Sequence, residues 1–219
     1  MKIVKEILYE EQMKFKQDNS DPIIDMNIGI EESISRWLKF MNITDYRLTK
    51  KYEINVHNNV IIENKELKEF PEYIKFNHIM GGFHIKNNKL SSLKGVPYSI
   101  SGSFIISRNN LSNLKLGPYI VKEIYGASHN NLENLEGIAK IIGGSVYLND
   151  NNLKNLKHIP EFIHGTLNIQ NNPIESLDGF PKKIQEHLYF TPSKFLDKEK
   201  IKTVCEVIGH IIDIPYKIK

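Results

Sequence analysis

Cys205 and eight histidines (His57, His78, His84, His129, His158, His164, His187 and His210) are the side chains of this 219-residue chain best suited to nucleophilic, proton-transfer or metal chemistry. A zinc centre gathers its ligands at recognisable spacings, such as two histidines four apart on a helix, and no pair here is so spaced. The histidines therefore read as surface residues. Cys205 falls among Ile201, Val204 and Ile208 at helical intervals, which predicts a buried, inert thiol with no basic neighbour to activate it. A single cysteine forms no internal disulfide, and a reducing compartment fits. No cofactor, no metal and no enzyme activity are expected.

The spacing that does stand out belongs to an amide. Asn88, Asn109, Asn130, Asn151 and Asn172 recur every 21 residues, each followed two places later by Leu90, Leu111, Leu132, Leu153 or Ile174. Three further on stand Leu93, Leu114, Leu135, Leu156 and Leu177. Pro97, Pro118, Pro160 and Pro181 share a column broken by Ala139, and Ile100, Val121, Ile142, Ile163 and Ile184 fill the next. Gly81, Gly102, Gly144 and Gly165 precede an alternating pair of apolar columns running from Phe83 and Ile85 to Leu188 and Phe190. Slipping any column by one residue would turn its apolar side chains outward, so columns kept in phase over five units imply a coil whose turns stack. Strands repeated at a fixed interval lie parallel, about 4.8 Å apart. Each stacked Asn sits in a tight bend, where its amide can serve backbone groups that would otherwise be buried unpaired.

These residues resemble the leucine-rich repeat signature in the short form found in bacterial and bacteriophage proteins, over about residues 60 to 190. One column departs from it: Ile100, Val121, Ile142 and Ile163 sit four residues before the next apolar strand position, where the usual signature has three. Residues 60–71 look like a degenerate opening unit, with Asn64 one place early. The resemblance implies an α/β solenoid with one parallel sheet of about six strands, short turns on the convex side and α-helical caps at both ends. Some bacterial relatives of that family carry a catalytic-cysteine ubiquitin ligase domain, for which the roughly 30 residues after the repeats leave no room.

The expected organisation is an N-terminal helix-and-strand cap over 1–57, repeats over 58–190, and a C-terminal helical cap and tail over 191–219. Ile30, Ile34, Trp37, Leu38 and Met41 recur at helical spacing, with Glu31 and Glu32 where the helix dipole favours acids. Trp37 is expected to plug the first coil, and residues 52–56 to form a strand leading into the repeats. Residues 2–16 fit a separate helix, followed by a linker near 18–22. Asp197 should cap a helix over 198–208 that buries Ile201, Val204, Cys205 and Ile208 and ends at Gly209. Residues 211–218 read as an edge strand or tail.

Stacking lines up the outward strand positions. One column is Gly82, Ser103, Ile124, Ser145, Thr166 and His187; the next is His84, Ile105, Gly126, Tyr147, Asn168 and Tyr189; the third is Lys86, Ser107, Ser128, Asn149, Gln170 and Thr191. None of the eighteen is Asp or Glu, so the carboxylate pair that a glycosidase needs is not expected on this face. Tyrosines on a rigid sheet give large contact area at low entropy cost, which favours recognition of a protein. The partner-binding candidates are His84, Lys86, Ile105, Ser107, Tyr147, Asn149, Asn168, Gln170, His187 and Tyr189. Six coils offer about 800 Å² for an ordinary interface.

Composition sets the remaining bounds. Charge divides as −1 over 1–57, +2 over 58–187 and +2 over 188–219, and no segment is polybasic. Nucleic acid is thus an unfavoured partner, although Lys86, Lys89, Lys94, Arg108 and Lys115 lean toward the early repeats. No apolar run approaches the roughly 20 residues that span a bilayer, and residues 1–15 lack the apolar core of a signal peptide. A cytoplasmic protein without membrane contact is expected. Ile, Lys and Asn number 33, 26 and 23, a bias typical of AT-rich genes. With the resemblance, it implies a bacterial or phage protein that engages or inhibits a host protein, in the host cytoplasm if phage-encoded. The rival reading is a parallel β-helix-like glycan-binding or glycan-processing protein, which would carry more than one sheet; nucleic-acid binding is a weaker third.

Overall fold

The structure is a computed structural model and describes residues 29–215. The helix expected over 2–16, its linker near 18–22 and the last residues of the tail lie outside the described residues. The chain opens with helix α1 (Ile30–Phe40), a hairpin of β1 (Tyr46–Leu48) and β2 (Ile54–Val56), and β3 (Val60–Ile61). Coils then follow, each with two very short strands: β4 (Phe76–Ile79) and β5 (Phe83–His84), β6 (Ser99–Ile100) and β7 (Phe104–Ile105), β8 (Ile120–Val121) and β9 (Tyr125–Gly126). They continue as β10 (Ile141–Ile142) and β11 (Val146–Tyr147), β12 (Phe162–Ile163) and β13 (Leu167–Asn168), β14 (Lys183–Ile184) and β15 (Leu188–Phe190). Helix α2 (Lys198–Val204) precedes the last pair, β16 (Glu206–Val207) and β17 (Ile211–Asp213).

The molecule is a β-solenoid, with two walls where one was expected. The long wall is an eight-stranded parallel ladder from β3 through every odd strand to β17. Its seven intervals extend about 34 Å at 4.8 Å each. The second wall runs β1-β2-β4-β6-β8-β10, breaks, and resumes as β12-β14-β16. This corrects the expectation of a single sheet of about six strands. Ile100, Val121, Ile142, Ile163 and Ile184, the apolar column four residues ahead of the strand, are the inward residues of second-wall strands and are buried. A strand of two residues has one side chain in and one out, too short a run to show alternation in sequence.

The core is the set of columns read from the repeat. Leu90, Leu93, Leu111, Leu114, Leu132, Leu135, Leu153 and Leu156 are fully buried, as are Phe83, Phe104, Tyr125, Val146, Leu167 and Leu188. The asparagines form the ladder that closes the bend. Asn109 Oδ1 accepts the Leu90 N–H at 3.0 Å, and its Nδ2 donates to the carbonyls of Ile85 at 2.7 Å and Ile106 at 3.0 Å. Asn64 does not join it. It has φ of 56°, as do the residues just before each ladder Asn: Asn87, Arg108, His129, Asp150 and Asn171 lie between 52° and 59°. From the second coil onward the bend takes one left-handed residue and then the bridging amide. In the opening coil the second place is Lys65, and Asn88 accepts its N–H at 2.9 Å.

At the first coil, Trp37 of α1 stands edge-on to Phe70 and Phe76, with ring centroids 5.9 and 6.4 Å away. At the other end α2 is shorter than expected, stopping at Val204, and a further coil follows it. Only Ile201 and Cys205 of the expected apolar stripe are buried; Val204 and Ile208 are exposed. The cause lies in the neighbouring coil, because the Lys182 and Ile184 carbonyls accept the Glu206 and Ile208 N–H groups at 2.9 and 3.0 Å. That pairing draws residues 205–208 out straight. Residues 211–213 form the edge strand β17, parallel to β15.

Candidate binding face

The register of the long wall places Ile61, His84, Ile105, Gly126, Tyr147, Asn168, Tyr189 and Ile212 in one column, each opposite its neighbour in the next coil. The expected central column is thus assembled, and an isoleucine extends it at each end. Ile61 is exposed, and the rest are half-buried except Gly126. A Cβ on Gly126 would stand 2.9 Å from Ile105 Cδ1, so the glycine leaves the space into which Ile105 leans. The long side chains at this level therefore form two groups, His84 with Ile105, and Tyr147 with Tyr189 across Asn168.

His84 Nε2 is buried without a hydrogen-bond partner. Desolvation first, and the nearby Lys86 ammonium second, hold its pKa below the ordinary 6.5, so the ring is neutral at pH 7. Lys86 pairs with Glu63 at 3.0 Å. At the far end His187 meets Tyr189 and His210 edge-on, and its Nδ1 accepts the His210 N–H at 3.1 Å, which assigns the neutral-ring proton to Nε2.

The third column is a connected polar network over four coils. Ser128 Oγ donates to Asn149 Oδ1 at 2.6 Å, and Asn149 Nδ2 donates to Asp150 Oδ2 at 2.5 Å. Asn171 Nδ2 donates to Asp150 Oδ1 at 2.8 Å, and Thr191 Oγ1 accepts the Asn171 N–H at 2.9 Å. His129 Nε2 lies 3.4 Å from Asp150. Asn168 Oδ1 accepts the Gln170 N–H at 3.0 Å, so that side chain is turned along its own strand. Ser107 is half-buried in the same column.

Three carboxylates border this face, which the sequence reading missed. Ser103 Oγ donates to Glu123 at 2.9 Å, Thr166 Oγ1 donates to Glu186 at 2.9 Å, and Asp150 anchors the amide network. Their signal was present: Glu123 and Glu186 are the two interruptions of the glycine column, and Asp150 occupies the left-handed place. Glu123 and Glu186 are three coils apart, roughly 14 Å, beyond the about 5 to 10 Å over which two carboxyl groups cooperate on a glycosidic bond. Among the described residues no group of three or more His, Cys, Asp or Glu could hold a metal ion. Burial raises the Cys205 thiol to about 11.

The early lysines are tied to the next or previous coil. Lys86, Lys89, Lys94 and Lys115 pair with Glu63, Glu66, Glu72 and Glu136, and Lys154 and Lys157 with Glu175 and Asp178. Four of the five cations that lean toward the early repeats are thereby neutralised by a carboxylate. A further group escaped the sequence reading, the exposed Tyr98, Tyr119, Ile141 and Phe162 of the second wall. Among the described residues no helix is long and apolar enough to cross a membrane. No family model matches this chain, and no curated protein or solved structure matches it.

Proposed function

We propose that the solenoid is a protein-binding module of the leucine-rich repeat type, its first coil closed by α1, which engages a partner through the long wall and performs no chemistry. The observation that carries this reading is the register itself: Ile61, His84, Ile105, Tyr147, Tyr189 and Ile212 stand in one column of a rigid ladder, bordered by hydroxyls and amides. Apolar and aromatic anchors inside a polar border are the composition of interface hot spots. A host protein, bound so as to block it, is the partner class that fits the sequence resemblance. The inter-coil ion pairs leave little net field, which favours a protein over nucleic acid.

The test compares proteins captured by the wild type and by Tyr147→Ala/Tyr189→Ala, after confirming equal melting temperatures. A protein retained by the first and lost by the second supports the reading; identical captured sets contradict it.

One observation favours the second reading. Two walls per coil, and an amide–carboxylate network through Ser128, Asn149, Asp150 and Asn171, suit a glycan-binding β-solenoid. Saturable binding on a polysaccharide panel that Asp150→Ala abolishes would establish it in place of the first.

A further inference from the structure

The second wall carries an exposed apolar surface that the long-wall reading does not use. Outward from it stand Ile120, half-buried, and Ile141 and Phe162, 52% and 53% exposed. Beside them Tyr98 and Tyr119 stack with ring planes 2° apart and centroids 5.4 Å apart, both exposed. Large exposed apolar side chains gathered on one wall mark a contact surface. The charges on the same wall are ordered. Lys140 precedes Ile141, Glu161 precedes Phe162, and one coil later Lys182 pairs with Glu161 at 2.7 Å. Among the described residues Lys140 has no ion-pair partner, and the ladder of this wall is broken between β10 and β12.

We propose that this wall is the contact between two copies of the chain, related by a two-fold axis that runs along the strand direction through the break. Such an axis exchanges the coils on either side of it. Ile141 then meets Phe162 of the second copy, Lys140 meets its Glu161, and Tyr119 meets its Lys182, each contact occurring twice. Ile141 and Phe162 set apolar against apolar, ammonium faces carboxylate, ammonium faces an aromatic ring, and Ile120 falls opposite Lys183 of the second copy, whose ammonium holds Glu206 at 3.2 Å. Moving the axis by half a coil either way sets Lys140 against Lys140 or Glu161 against Glu161, so charge selects this position. The contact spans few coils, which makes it a weak, concentration-dependent dimer. The long wall stays uncovered in both copies, and the assembly presents two binding faces.

The test is sedimentation velocity on the full chain from micromolar to millimolar concentration. A reversible monomer–dimer equilibrium is expected. Lys140→Glu and Glu161→Lys should each weaken it about tenfold or more, and the double variant should recover to within about threefold of wild type, because the opposed charges are restored in exchanged places. Both substitutions are at exposed positions, and unchanged melting temperatures in all three variants confirm that the coil is intact. A wild type that stays monomeric throughout overturns the proposal and leaves the wall to another occupant. A double variant no better than the single ones, or an oligomer indifferent to all three, also overturns it.

Discussion

Asn151 Oδ1 accepts the N–H of Leu132, one coil back, at 3.0 Å, while Asn151 Nδ2 donates at 3.0 Å to the carbonyls of Ala127 and Leu148. One buried amide thus satisfies backbone groups of two coils where neither ladder reaches them. Asn151→Ala orphans those three groups, each unpaired group costing about 1 to 3 kcal/mol, so the expected loss is about 3 kcal/mol or more in denaturant unfolding. A loss below about 1 kcal/mol would mean the bend is held by something other than its asparagine.

Leu132 and Leu153 are fully buried in successive coils. Truncating either to alanine should cost about 2 to 5 kcal/mol through the cavity left in the stack. A chemical melt indistinguishable from wild type would contradict the coil frame.

His84 supplies a pH dependence whose sign follows from its burial. Its folded pKa lies below 6.5, so the unfolded chain binds a proton that the folded chain resists. Stability from this group is fully present above 6.5 and falls as the pH drops below it. His84→Ile, which also continues the Ile61 and Ile105 column, removes that titration. The melting temperature of wild type should therefore fall more between pH 7 and pH 5 than that of the variant. Parallel curves would show that the ring is not confined as described.

At the last strand, Asp213 stands in register with Phe190, where every preceding coil places a buried apolar residue, but it is exposed and pairs with Lys198 at 2.8 Å. The hydrogen bond from Lys198 holds its carboxyl below the usual range. A charged residue on an exposed edge strand, here in a column that is otherwise apolar, discourages further pairing. Asp213→Val should release open-ended association into species larger than a dimer, visible by light scattering. A variant as monodisperse as wild type would leave the edge without this guard.

What was legible in sequence is what repeats at full length. The asparagine and leucine columns recur five times and the strand columns six, and their members reappear as stacked, buried positions, with Leu177 at the end of its column only half-buried. The second wall was hidden because its strands last two residues and turn a corner three residues before the long wall begins. Glu123, Glu186 and Asp150 were missed because only alternate strand positions were counted as facing outward, whereas the glycine and left-handed places also reach the face. The end of α2 was misplaced because the apolar spacing through Ile208 is local, and pairing with β14 overrides it.

The most direct test is a photoreactive benzoylphenylalanine placed at Tyr147 in the full chain within its native cell, with the same group at exposed Leu116 as the comparison. Position 147 should yield a discrete adduct with one protein, absent at 116 and competed by excess unlabelled wild type but not by Tyr189→Ala. Equal labelling at the two positions, or adducts at 147 that wild type cannot compete, would contradict binding through the long wall.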